Sequence, residues 1–173
     1  MLAVGISFAG WLWETLLMLC LTGEYYDRGF ITLPFCPIYG TAVIGTYFLL
    51  GAPDKGRGML KEIKNKAVRY ALYAAFCFII PTLAELFVGL IFDKSLHLRL
   101  WEYSAYPCHF GGYICLPISR SWAVLLFLFM KVAFLPLKRL FYKIPELPAR
   151  VLATVLSIAL STDFLINIVL AIK

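Results

Sequence analysis

The chain has 173 residues, 62 % of them hydrophobic, with a formal net charge of +6 and a mean hydropathy of +0.84. That composition excludes an ordinary soluble domain and describes an integral membrane protein with short loops, one transmembrane domain over residues 1–173. The basic balance does not call for nucleic acid, because the cations cluster in two short loops, as the positive-inside rule requires.

In chain order, the first apolar run covers Leu2–Thr22, long enough for a bilayer, which takes about 20 residues. Met1–Gly23 lacks a basic start and a convincing small-residue cleavage site, so it reads as a retained span rather than a signal peptide. Pro34 and Pro37 make a regular helix unlikely through the segment before Gly40. A second, short span follows at about Ile38–Gly51. The third is Ala67–Phe92, the fourth about Ser121–Leu137 and the fifth Val151–Ile172. No internal repeat stands out, so an inverted-repeat transporter plan finds no support.

The loops set an orientation. Residues 54–66 carry five Lys or Arg and residues 138–150 carry four, against one in 24–37 and two in 93–119. With the basic loops in the cytoplasm, the N-terminus is cytoplasmic and 24–37 and 93–119 lie outside. We therefore expect an all-α polytopic fold in the cell membrane, with about five transmembrane helices and re-entrant or interfacial outer segments.

Three of the ten acidic residues, Glu14, Glu85 and Asp163, fall inside apolar runs. A charge at bilayer depth costs a few kcal/mol on insertion scales and usually faces protein or a water-filled cavity. At 1.5 Å per residue, Glu85 lies about 27 Å beyond Ala67 and Asp163 about 18 Å beyond Val151. Glu14 lies at a similar depth, so all three acids fall in the middle-to-outer half. Ala3, Ser7, Gly10 and Glu14 repeat at 4-3-4 spacing, a small-residue face that turns Glu14 into the bundle. Pro81, one turn before Glu85, predicts a kink that opens a pocket. Glu14 and Glu85 are expected to share one cavity with residues from 101–113. The plainer alternatives are a buried hydrogen bond for Glu14, and a solvated Glu85 near Arg28 or Arg120. Asp163 and Asn167 form an i,i+4 pair, so Asp163 is at least as good a structural tie as a ligand.

Outside, Trp101, Glu102, Tyr103 and His109 offer aromatic faces and polar tips, a pattern that interfacial belts also produce. The segments 34–40 and 103–116 combine aromatics with Gly or Pro and few charges, so both should pack on the outer ends of the spans. The five cysteines include no CxxC, hence no zinc or redox motif. A disulfide among Cys36, Cys108 and Cys115 is open, and spacing does not choose the partners. There is no HExxH, GxSxG or nucleotide-binding Gly-rich loop. No cofactor or metal is expected, and an ATP-driven function would need a separate ATPase subunit.

Gly10-Trp-Leu-Trp-Glu14, Arg28-Gly29 and Pro34-Phe-Cys-Pro-Ile-Tyr39-Gly40 combine with Ala84-Glu85-Leu-Phe-Val-Gly89, Trp101-Glu-Tyr-Ser104 and Gly112-Tyr-Ile-Cys-Leu116. Together, in order over roughly residues 10–122, these stretches resemble the small bacterial integral membrane proteins labelled type-IV ABC-transporter permeases. The family more often has Asp at Glu102, Asn at His109 and Tyr at Phe87. The resemblance implies a membrane architecture and a transport role.

The leading expectation is a small-solute transport component, a permease or substrate-binding membrane subunit with an outward-facing polar site. That site takes Glu14, Arg28, Tyr39, Glu85, Trp101, Glu102, Tyr103, His109 and Arg120, with Asp163 and Asn167 secondary. Its partners are membrane lipids, an unidentified small molecule and an ATPase or other transporter subunit. One alternative is an intramembrane enzyme pairing Glu14 with Glu85, assisted by His109, on a lipid-linked or amphiphilic substrate. Another is a non-catalytic membrane subunit.

Overall fold

The computed structural model describes residues 1–25, 30–56 and 58–172. Its helices are α1 (Leu2–Thr22), α2 (Pro37–Leu50), α3 (Lys66–Leu96), α4 (Leu116–Leu128), α5 (Phe134–Phe141) and α6 (Glu146–Ile172). A five-residue π-helical turn, Phe129–Ala133, joins α4 to α5. The stretch Leu116–Phe141 is thus helical throughout, about 39 Å at 1.5 Å per residue. Among the described residues, α1, α3 and α6 are each long and apolar enough to cross a membrane, and α2 is a shorter apolar helix. The fold is all-α and polytopic, as expected.

Helix boundaries follow local chemistry. Asn65 caps α3, its side chain accepting from the Ala67 and Val68 amides at 2.9 and 3.3 Å, which supplies partners for two otherwise orphaned donors. At its other end α3 continues to Leu96, one turn past the expected Phe92. The helix expected from about Ser121 begins at Leu116, because a proline in the first turn, Pro117, needs no helical amide partner.

The chain packs as two units, one of residues 1–41 with 138–173, the other of 42–137. In the first, α1 meets the chain that leads into α2. The Cys36 amide donates to the Ser7 carbonyl (3.3 Å) and the Gly40 amide to Ser7 Oγ (3.0 Å). Segment 34–40 does pack on α1, but beside its first half rather than at its C-terminal end. The cause is close approach: a Cβ on Gly40 would overlap Ser7 Oγ and the Ala3 carbonyl oxygen, and one on Gly10 would overlap the Tyr39 ring. Phe30 stands edge-on to Phe164 of α6 at 5.5 Å.

The second unit is built on α3 against α4. Tyr73, Cys77, Pro81, Glu85 and Gly89 form the buried stripe of α3, and α4 answers with Ser119, Leu126 and, in the π turn, Met130. The helices run antiparallel, since Trp122 reaches Glu85 while Phe127 lies edge-on to Tyr73 at 5.9 Å. Pro81 is buried within an unbroken helix. Two short hairpins complete the unit: β1 (Gly51–Ala52) with β2 (Lys55–Gly56), and β3 (His109–Phe110) with β4 (Ile114–Cys115). The Tyr73 hydroxyl donates to the Gly51 carbonyl at 2.8 Å and ties the first hairpin to α3. No disulfide forms between any of the five cysteines.

Candidate functional site

The three acids of the apolar helices are each engaged by a donor from another segment. Glu14 lies on the small-residue face of α1 and accepts from the Tyr39 hydroxyl at 2.5 Å. The contact needs Gly10, whose missing side chain leaves room for the Tyr39 ring. Glu85 is 6 % exposed, which corrects the reading of it as a solvated interfacial residue. Its Oε1 accepts from Tyr103 Oη at 3.3 Å and from Trp122 Nε1 at 3.2 Å. Both donors come from outside α3, so the carboxylate ties two other segments to that helix.

The two stations share a local plan. Each acid sits within a long helix, and the chain returns to it through a buried cysteine, Cys36 or Cys115. A helix with proline in its first turn starts directly after that cysteine. An aromatic donor on that new helix then reaches the acid: Tyr39 for Glu14, Trp122 for Glu85.

Around the C-terminal end of α3, segment 97–115 folds into a hydrogen-bonded cap. The Tyr103 amide donates to Gly112 O (2.9 Å), and Trp101 Nε1 to Tyr113 O (2.8 Å). Arg99 pairs with Glu102, lies 3.7 Å from Asp93 and stacks over the Tyr113 ring at 5.1 Å. The Tyr113 hydroxyl donates to Asp93. Gly112, at φ 77, turns the hairpin where any Cβ would overlap Glu102 Oε1. Hydrogen bonds from Ser104 and from Arg99 hold the Glu102 carboxyl below its usual range. Tyr113 is raised by its bond to Asp93. Segment 103–116 thus packs on the C-terminal part of α3, and Trp101 and Glu102 serve its internal structure.

His109 is exposed on β3, and Arg120 is exposed one turn into α4. Arg28 lies outside the described residues. Asp163 accepts from the Leu33 amide at 2.9 Å, while Asn167 Nδ2 bonds Thr32 Oγ1 (3.2 Å) and both the carbonyl and carboxylate of Asp163. The pair fastens segment 30–33 to α6.

Sequence reasoning missed Trp122, which is 37 residues from Glu85 and reads locally as an interfacial aromatic. It also passed over Lys131, a cation inside the fourth span. Lys131 stands over the Tyr70 ring at 5.2 Å, with Lys66 at 5.8 Å, and the Tyr70 hydroxyl donates to Asp54. The signal was available: a lysine in an apolar run needs a partner, and here the π turn presents it to an aromatic face.

No curated protein and no solved structure matches this chain. A family model described as "Putative ABC-transporter type IV" matches residues 2–168, from the start of α1 through most of α6. By that match, the chain belongs to this ABC-transporter-related family of membrane proteins.

Proposed function

We propose that the protein is the membrane-spanning permease or substrate-binding subunit of a bacterial small-solute transporter, with Glu14 and Glu85 as its ligand-binding carboxylates. The observation that carries the reading is Glu85. A buried carboxylate is retained in the apolar part of α3 and held by two donors from different segments, Tyr103 and Trp122. Desolvating an acid costs several kcal/mol where a leucine would cost nothing, so a purely structural role is a poor use of the position. An acid so placed can take a cation, the amine of a solute, or a coupling proton in exchange for one of its donors. Tyr39 offers the same exchange at Glu14.

The N-terminus and both basic loops are cytoplasmic in this reading, which leaves the 97–115 cap facing out. Energy comes from a separate ATPase subunit, because the sequence contains no nucleotide-binding motif. Nothing in the site favours acid–base chemistry on a lipid-linked substrate, since the proposed assisting base, His109, is exposed on the hairpin.

The test is a thermal-shift screen of purified protein against cationic, zwitterionic and anionic solutes. A ligand at 100 times its Kd stabilises by about 2.7 kcal/mol. Solutes that shift wild type should fail to shift Glu14→Gln or Glu85→Gln, while Asp163→Asn keeps the shift because asparagine can still accept from Leu33. Unaltered shifts in both glutamine variants, with the response lost in Asp163→Asn, would overturn the assignment.

A further inference from the structure

We propose that the outward face of α4 holds one anionic phospholipid, its phosphate at Arg120 and an acyl chain laid along Val124 and Leu125. A cavity of about 680 Å³ opens on this face, walled by Pro107, Leu116, Pro117, Val124 and Leu125, with Arg120 at its side. Leu116, Val124 and Leu125 are 45, 57 and 44 % exposed. In a membrane-spanning helix such surfaces meet acyl chains.

Arg120 sets the charge of the occupant. Among the described residues it has no ion-pair or hydrogen-bond partner. The acids of the neighbouring cap, Asp93 and Glu102, are both engaged by Arg99. The start of α4 adds little to this charge, because the Leu116 amide donates to the Cys108 carbonyl at 3.2 Å and Pro117 has no N–H. Ser121 does not compete, since its hydroxyl returns to the Pro117 carbonyl at 3.1 Å.

The groove therefore joins an apolar channel about two turns long to an unpaired guanidinium, whose planar fork suits a phosphate. An anionic solute would use the arginine and leave the apolar wall idle. A neutral lipid would use the wall and leave the arginine without a counter-charge. A phospholipid of net negative charge satisfies both. The groove involves neither Glu14 nor Glu85, so it stands or falls apart from the transport reading.

Native mass spectrometry of the detergent-purified protein, given equal phosphatidylglycerol and phosphatidylcholine, tests the assignment. One favourable cation–lipid contact predicts about a five-fold preference for phosphatidylglycerol in wild type. Arg120→Gln should bring the ratio close to one, Arg120→Lys should keep most of the preference, and Val124→Trp should lose both lipids by filling the groove. Melting curves identify any variant that fails to fold, and the remaining variants then decide. No preference in wild type, an unchanged preference in Arg120→Gln, or wild-type retention of phosphatidylglycerol in Val124→Trp would each overturn the proposal.

Discussion

Replacing Tyr103 by phenylalanine deletes one oxygen and, with it, one of the donors that hold Glu85. A hydrogen bond to a charged group contributes about 1.5–3 kcal/mol. At 3.3 Å the Tyr103 bond is long and Trp122 still donates at 3.2 Å, so the low end, about 1.5 kcal/mol, is the expected cost. For a chain of this size that corresponds to a fall in Tm of roughly 3–6 °C. Glu85→Gln removes the charge the hydroxyl serves, so Tyr103→Phe should cost only about 0.5 kcal/mol in that background. The double-mutant cycle should therefore show a coupling of about 1 kcal/mol. Melting of all four proteins in one detergent supplies the measurement. Strictly additive losses would mean that Tyr103 does not stabilise the carboxylate and that the Glu85 station has been misread.

Further outcomes follow from other contacts. Gly40→Leu should destabilise by at least about 2 kcal/mol, as overpacking against backbone allows little relief, whereas Gly45→Leu, which meets no neighbouring atom within 4 Å, should cost far less in the same melt. The Glu102 carboxyl is depressed in the folded cap, so its stabilisation is fully present above its unfolded value near 4.3 and lost as pH falls through the folded value. Hydrogen exchange at the Tyr103 amide should accordingly be flat from pH 7 to about 5, apart from intrinsic rates, and lose protection only below about 4. A cysteine at position 61, alone in a cysteine-free background, should resist impermeant reagents added to intact cells; labelling there would reverse the orientation.

The spans were legible because their signal is local. A run such as Leu2–Thr22 has the length and apolar content to cross a bilayer, and α1 has those bounds. Ends were less legible where two rules met: residues 116–119 read as the end of the Gly- and Pro-rich segment 93–119, yet proline in a first turn begins α4. The acids were marked by their cost in lipid. Of their donors, Tyr39 and Tyr103 stood among the candidates but Trp122 did not, since nothing near it distinguishes a ring that reaches a carboxylate from one at the interface.

Segment 34–40 shows the same division. Its composition required packing against protein, and Cys36 and Gly40 are buried while Pro34 and Pro37 stay exposed, but a connection of this length can deliver it to many depths along α1. What placed it was the fit of Gly40 and Gly10 against Ser7, Ala3 and Tyr39. The sequence by itself determined an all-α membrane protein, the approximate spans, and the acids that must turn from lipid, because apolar length and charge desolvation act residue by residue. Only the tertiary structure decided which tyrosine and tryptophan meet Glu14 and Glu85, that Asp163 ties down residue 33, and that Arg120, unpaired among the described residues, stands beside an apolar groove. Those facts depend on side-chain packing between segments far apart in the chain, which no local free energy specifies.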